Sequence, residues 1–246
     1  MSKIAEVSPP RIDAVLLDAA GTLIQPAEPV AETYARIARE FGAEISPEAL
    51  LSAFREVFGD MPPMAFEEFS SETLDALERS WWRTLVERVI AATGATVRDF
   101  DAFFEALYGH YATGVAWVLY PEVVEVLRSL AAGGYAVAVV SNFDSRLPIV
   151  LRDHKLESLL AEVVYSTGVG AAKPDSRIFH HALERLGTVP ERAVHVGDSQ
   201  EADYEGAKGA GLDGLLLIRS QPGQADSRAH VIGQLQDLLP WLEARR

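Results

Sequence analysis

The chain has 246 residues, 48% of them apolar and 24% charged, which suits one large domain or two modest ones with a sizeable core. A formal net charge of −14 argues against a nucleic-acid or anionic-membrane partner, because either demands a basic patch. There is no cysteine, so disulfides, thiolate nucleophiles and Cys-based metal sites are excluded.

The opening stretch, Met1 to Arg11, has no apolar core of the signal-peptide kind, and no run approaches membrane-spanning length. The expected location is the cytoplasm. Residues 1–11 are polar and proline-bearing and read as a flexible tail. A strand is predicted at about 13–17, where Val15-Leu16-Leu17 runs into the tight turn Asp18-Ala19-Ala20-Gly21-Thr22. From Pro26 the pattern changes. Residues 28–112 carry helical periodicity, with Val30, Tyr34, Ile37, Ala38 and Phe41 on one face. Ser46-Pro47-Glu48 supplies an N-cap, a proline at the first helical position and an early acid, predicting a helix through about Phe58. Two more helices are predicted at about Ser71–Thr93 and Asp99–Tyr111. The four form a small α-helical cap over about residues 26–115.

After Pro121 strands and helices alternate. A helix at Glu122–Ala132, closed by Gly133-Gly134, precedes a strand at Tyr135–Val140. Helices follow at about 145–153, 175–186, 202–210 and 232–243, with strands at 162–166, 193–197 and 214–218. Alternation of this kind predicts a parallel sheet between two helical layers. The fold class is α/β: a Rossmann-like three-layer α/β/α core from residues 12–25 and 116–246, plus the cap.

In an open parallel sheet, ligands bind beyond the carboxyl ends of the strands. Asp18 therefore stands where a side chain can do chemistry, and Gly21 lets the backbone swing away; a turn or helix-capping aspartate is the plainer alternative. Ser141-Asn142 ends the second core strand and offers a hydroxyl and backbone N–H groups to a ligand oxygen, although the pair is also ordinary loop composition. Lys173 lies among small residues before a helix, so its ammonium can reach the strand ends as a point charge or stay solvated. Gly197-Asp198-Ser199-x-x-x-Asp203 is the most specific stretch. Two carboxylates beyond one strand end, with no Lys or Arg between them in the chain, repel each other unless a cation sits there. Hard oxygen donors of this kind suit Mg²⁺. Asp203 also fits a first-turn position stabilised by the helix dipole.

Asp18-x-x-Gly21-Thr22, Ser141-Asn142, Lys173-Pro174 and Gly197-Asp198-Ser199-x-x-x-Asp203, in this order, resemble the haloacid dehalogenase superfamily. The inserted helices resemble that superfamily's α-helical cap. Asn142-Phe143-Asp144-Ser145-Arg146-Leu147 and Asp203-Tyr204-x-Gly206-Ala207 further resemble its haloacid dehalogenase-like hydrolase domain-containing protein 3 subgroup. The resemblance implies that Asp18 is a nucleophile that forms an aspartyl-phosphate. It implies Mg²⁺ held by Asp18, the main-chain carbonyl of Ala20 and Asp198, with Asp203 ordering its water. Ser141 and Lys173 would grip the transferring phosphoryl group, with Gly21, Thr22 and Asn142 at the substrate site. The implied partner is a small phosphorylated molecule.

One position departs from that family's phosphatases. They usually carry a second Asp two residues after the nucleophile, as general acid and base, and here that residue is Ala20. Losing such a group typically removes about 10²–10⁴-fold of rate. The family's phosphonoacetaldehyde hydrolases share this Ala but use a cap lysine, and no lysine lies between Lys3 and Lys155. Its dehalogenases typically have an aromatic residue here and lack the Gly-Asp present at Gly197-Asp198. The remaining readings are a Mg²⁺-dependent phosphatase or phosphotransferase favouring good leaving groups, and a catalytically weak binding protein. As substitutes for the missing acid, Asp144 reads rather as a helix N-cap and His195 as a core or supporting residue, leaving His110 to be checked. Trp81 and Trp82 read as cap core, with one able to face the cleft.

Overall fold

The computed structural model describes residues 11–67, 70–219 and 231–245. The expected tail lies outside these apart from Arg11. The first strand, β1 (Ala14–Leu17), is buried on both faces, as its unbroken apolar sequence requires. It leads into a two-stranded antiparallel ribbon of β2 (Ile24–Pro26) and β3 (Trp117–Leu119). No strand is predicted at either position, because three-residue strands carry no readable periodicity. The ribbon stands at the two crossings of the chain between core and cap.

The core strands that follow are β4 (Ala136–Ser141), β5 (Glu162–Tyr165), β6 (Ala193–Gly197), β7 (Asp213–Leu217) and β8 (Val231–Ile232). With β1 they form a six-stranded sheet in the order β5-β4-β1-β6-β7-β8, every pairing parallel. The chain builds outward from β1 on one side and then returns to build on the other. The crevice at that reversal is where ligands bind in such sheets.

Period-two alternation sends side chains to two cores. Val15, Leu17, Val139 and Val196 pack with the apolar faces of α5 (Val123–Ala132), α6 (Leu147–Asp153) and α10 (Leu238–Glu243). Leu16, Ala138 and Val140 face α8 (Ser176–Leu186) and α9 (Gly206–Gly209). A short helix, α7 (Ser166–Val169), follows β5.

Two predicted helices differ. The one expected at 202–210 begins as a wide π-type turn, Gln200–Glu205, because the Ser199 hydroxyl caps Ala202 N–H while the Asp203 carboxylate folds back onto Ser199 N–H. The one expected at 232–243 starts only at Leu238. Val231–Ile232 instead joins the sheet edge, and Asp237 accepts from the N–H groups of Gly233 and Gln234 to hold the intervening turn.

The cap consists of α1 (Val30–Glu40), α2 (Pro47–Gly59), α3 (Ser71–Ala92) and α4 (Phe100–His110). Ser46 caps α2 by accepting Ala49 N–H at 3.2 Å, with Pro47 in the first turn. The four helices share their own apolar cluster, centred on Leu50, Leu85, Val89 and Phe103.

Two buried carboxylates fasten cap to core. Glu78 of α3 is fully buried and accepts from Ser145 N–H at 3.0 Å and from the hydroxyls of Ser145 and Thr167. Asp144, also fully buried, pairs with Arg146 at 2.6 Å and accepts Trp82 Nε1–H of α3 at 2.6 Å.

Glu78→Ala should cost about 3 kcal/mol in urea unfolding at pH 7, because three donors lose their acceptor. Burial pushes the Glu78 carboxyl above its ordinary 4.5, so its protonated form is the one the fold favours. Its contribution is therefore full below pH 4.5 and falls as pH rises through the raised value. The gap between wild type and variant should widen on acidification; a gap that does not change with pH would show that the buried carboxyl is not titrating there.

Candidate active site

Parallel register sets the first shell of the crevice. Leu17 pairs with Val139 and with Val196, so Asp18 leaves β1 level with Val140 and Gly197. Ser141 and Asp198 come one residue later on either side. Asp18 N–H still bonds to Val196 O at 2.9 Å, holding its backbone against β6. The loop then closes tightly, with the N–H groups of Leu23 and Ile24 both donating to Ala19 O.

Gly21 has φ +86°, which disfavours any residue with a Cβ. A Cβ there would also stand 2.2 Å from Asp198 Oδ2. The glycine therefore lets the Asp198 carboxylate come close to the loop that follows Asp18. Thr22 is fully buried, and its hydroxyl has no hydrogen-bond partner among the described residues. Its main chain takes part instead: Arg219 donates to Thr22 O at 2.6 Å and Gly21 O at 3.2 Å. Arg219 also lies over Tyr120 and pairs with Glu122, so it clamps the loop from outside.

At the centre lies a buried ammonium. Lys173 Nζ donates to Asp18 Oδ1 at 2.7 Å and to Asp203 Oδ1 at 2.5 Å. The repulsion between carboxylates anticipated from the sequence is thus met in part by this lysine, which arrives from a different loop. Asn142 aims that loop: its Oδ1 accepts Lys173 N–H and its Nδ2 donates to Lys173 O, at 2.7 and 2.9 Å. Both ends of the Asn142 amide are so engaged in positioning the lysine. Ser141, nearly fully buried, ends β4 beside this pair.

Asp203 has both oxygens occupied. Oδ1 meets Lys173 and His195 Nε2 (2.9 Å), and Oδ2 accepts Ser199 N–H (2.9 Å). Burial works to raise its pKa, but Lys173 and His195 outweigh this and hold the carboxyl well below the usual range. Burial pushes His195 down, so the ring is neutral and donates from Nε2. His195 is thus a supporting core residue. Burial raises Asp18 despite Lys173, and burial together with Asp203 raises Asp198.

Asp18, Asp198 and Asp203 bring carboxylate oxygens within 4.8 Å of one another. Three carboxylates and one ammonium leave a net charge of −2 at the cluster. Asp198 is exposed and Asp18 keeps its second oxygen clear of Lys173, so these two suit direct ligation. Asp203, saturated by other partners, suits an indirect role. The donor set and the cleared space beside Gly21 fit a hard divalent cation.

Beyond Asp18 the site opens into a cavity of about 370 Å³ between core and cap. Ala20, Asn142, Phe143 and Ala172 form its floor, each within two residues of Asp18, Ser141 or Lys173. Trp81 and Trp82 pack against the cap core, and both, rather than one, also line the cavity. Asp144 is held by Arg146 and Trp82 as a strut and does not cap α6, whose N-cap is Arg146. His110 packs edge-on against Tyr111 near Glu28 and Arg36, away from the cavity floor. Neither takes the place of an acid at residue 20. Sequence reasoning missed Glu78, Arg146 and Arg219. Arg146 lay within a motif that was given no role for it, and Arg219 stands just beyond the carboxyl end of β7.

The chain belongs to the haloacid dehalogenase-like hydrolases, whose family model matches residues 12–211. It is 32% identical over 236 residues to the haloacid dehalogenase-like hydrolase domain-containing protein 3 of Bos taurus, covering 92% of each chain. Among solved structures, an HAD phosphatase from Thermococcus onnurineus superposes with a TM-score of 0.65 at 25% identity, covering 94% of this chain and 98% of that one. A 2-haloacid dehalogenase from Pseudomonas syringae pv. Tomato DC3000 has a TM-score of 0.62 at 23% identity, covering 95% and 99%. One scaffold thus carries both chemistries, and the choice between them lies in the site. No helix among the described residues is long and apolar enough to cross a membrane.

Lys173→Met should lower stability in EDTA at pH 7 by about 3–5 kcal/mol, the usual cost of removing one partner of a buried pair. In wild type, Asp203 is held below its ordinary 3.8, so its contribution is present above pH 3.8 and lost as pH falls through the depressed value. In the variant burial and the neighbouring carboxylates lose their strongest opponent and leave only His195 and Ser199 N–H against them, so the carboxyl pKa values rise and stability should increase from pH 7 to pH 5. Urea midpoints at both pH values measure this; parallel pH dependence in the two proteins would count against the lysine's role.

Proposed function

We propose that this protein is a Mg²⁺-dependent phosphatase or phosphotransferase that works through an aspartyl-phosphate on Asp18. The observation that carries the reading is the net −2 cluster of Asp18, Asp198, Asp203 and Lys173 at the reversal point of the sheet. Asp18, the Ala20 carbonyl and Asp198 would hold Mg²⁺, which supplies positive charge to the phosphate oxygens and lowers their repulsion toward the nucleophile. Asp203 would act at one remove.

The chain's own groups do the rest. Lys173 holds one Asp18 oxygen and opposes the rise in pKa that burial imposes on this carboxyl, leaving the other oxygen to attack phosphorus. The ammonium and Ser141 would orient the phosphoryl group and take up charge as it transfers. The Asn142 amide keeps the lysine in register, and Arg219 keeps the loop carrying Ala20 and Gly21 in place. Protonation of the departing oxygen has no side chain at residue 20 to perform it. Esters and acyl phosphates that leave as weak bases therefore suit the site. The substrate is a small phosphorylated molecule, in line with a chain whose −14 charge does not favour nucleic acid. The second reading, a weak catalyst that binds phosphorylated metabolites, is favoured by the same Ala20.

Phosphate release from 4-nitrophenyl phosphate should require Mg²⁺ and vanish in Asp18→Asn; activity surviving in that variant would sink the mechanism. Full Mg²⁺ binding by calorimetry with no release from any ester or acyl phosphate would favour the binding role.

Ala20→Asp distinguishes a missing proton donor from another bottleneck. With Mg²⁺ present, turnover of alkyl phosphates should rise more than that of aryl phosphates, up to about 10²-fold, because a strongly basic leaving oxygen gains most from protonation. An equal or greater gain on aryl phosphates would mean that proton transfer was not limiting.

A further inference from the structure

We propose that the substrate carries an uncharged aromatic group, joined to its phosphate through a phenolic oxygen and housed in the cavity between core and cap. The proposal rests on the phosphatase reading above and names the class of ester.

Two independent observations converge on it. The first is the cavity itself. Its wall is built from aromatic rings, among them Phe54, Trp81, Trp82, Phe104, Tyr108 and Trp117. The indole N–H groups of that wall already have partners, and the buried Tyr111 hydroxyl is left without one among the described residues. Trp81 Nε1 donates to Pro62 O, Trp82 Nε1 to Asp144, and Trp117 Nε1 to Tyr111 O. The one cationic group of the cavity among the described residues, Arg146, is paired with Asp144, donates to Tyr108 O, and lies 5.0 Å from the Trp82 ring and 4.2 Å from Tyr108. An anionic group on the substrate would have to compete with Asp144 for it. A polyhydroxylated group would find few donors or acceptors, and water is in the same position. An aromatic group loses nothing there and gains contact with the faces of the rings.

Size agrees. Interiors of proteins hold few voids larger than a water molecule, and an apolar cavity of about 150 Å³ takes up benzene. At about 370 Å³ this cavity has room for two or three fused rings. Its lining includes Ala20, Asn142 and Ala172, chain neighbours of Asp18, Ser141 and Lys173, so a group filling it would lie beside the phosphorus.

The second observation is chemical. A phenolic oxygen has a pKa of about 10, whereas an aliphatic alcohol lies near water at about 16. Only the former departs readily without an acid at residue 20. In the step proposed, an Asp18 carboxylate oxygen bonds to phosphorus as the bond from phosphorus to the aryl oxygen breaks. The phenolate leaves with the electron pair and takes its proton from solvent water. A second water attacks the aspartyl-phosphate, releasing inorganic phosphate and restoring Asp18. The alanine that removes the proton donor also forms the floor on which the ring would rest.

The test uses 2-naphthol, the product-like group without phosphate, and the fluorescence of Trp81, Trp82 and Trp117 in the full chain. Saturable quenching should appear in wild type and weaken at least about tenfold in Val86→Trp and in Leu107→Trp, which fill the cavity from α3 and α4. Circular dichroism shows whether each variant is folded. A second measurement needs no variant: kcat/KM of wild type for 2-naphthyl, phenyl and 4-carboxyphenyl phosphate, with acetyl phosphate alongside. The expected order is naphthyl above phenyl by at least about tenfold, with the carboxylated ester poorest. Failure of 2-naphthol to bind, or equal rates for naphthyl, phenyl and carboxyphenyl esters, overturns the proposal even when acetyl phosphate is hydrolysed. Binding of 2-naphthol with no release from any ester or from acetyl phosphate supports the cavity's ligand class and overturns the phosphatase reading instead.

Discussion

A buried ammonium between two buried carboxylates is the constraint around which this molecule is arranged. Lys173 reaches Asp18 and Asp203 from a loop far from either in the chain, and none of the three is exposed to solvent. Taking such charges from water is costly, and mutual attraction repays it only when geometry and further hydrogen bonds are good. Here they are supplied by neighbours: Asn142 fixes the lysine's backbone, while Ser199 N–H and His195 complete the shell of Asp203. Asp203 is left fully saturated, Asp18 keeps one oxygen for chemistry, and Asp198 stands at the surface. The division of roles among three identical side chains follows from their partners.

The same economy governs the boundary between core and cap. Glu78 and Asp144 enter from opposite sides, and each accepts a hydrogen bond from the other domain. An interface made only of apolar side chains would resist sliding poorly, whereas buried hydrogen bonds specify one arrangement. The price is a pair of buried carboxylates, and the Asp144–Arg146 pair has a consequence for the site. It neutralises the cation in the cavity wall, which turns a space next to a highly charged centre into an apolar one. Charge is gathered at the strand ends and absent a few residues away.

Ala20 stands between these two environments. In this position a carboxylate would extend the charged centre toward the cavity, and a methyl group extends the apolar wall toward the charged centre. In the phosphatase reading proposed above, the absent proton donor and the apolar floor are one feature of residue 20 seen from two sides. The neighbouring structures include a phosphatase and a dehalogenase, so fold similarity alone does not select the chemistry. In the function proposed above, the acidic cluster and the residue at position 20 do.

Much of this was legible from the chain alone. Strands β1, β4, β6 and β7 were predicted within a residue at each end because a sheet covered on both faces demands unbroken apolar runs. The cap helices were equally plain from their periodicity and the Ser46-Pro47 start. Asp18, Ser141 and Asp198 were singled out by standing at strand ends and Lys173 by lying among small residues before a helix, all local properties. The wide turn at Gln200–Glu205 and the late start of α10 escaped, since there side chains of Ser199, Asp203 and Asp237 compete with the helix for backbone N–H groups. What only the tertiary structure decided is who meets whom. Periodicity reports on neighbours along the chain, and it is silent about Lys173 finding Asp18 across 155 residues, or Arg219 reaching the carbonyls of Gly21 and Thr22. The aromatic residues of the cap were visible as a list, and packing alone turned their faces toward one cavity beside Ala20.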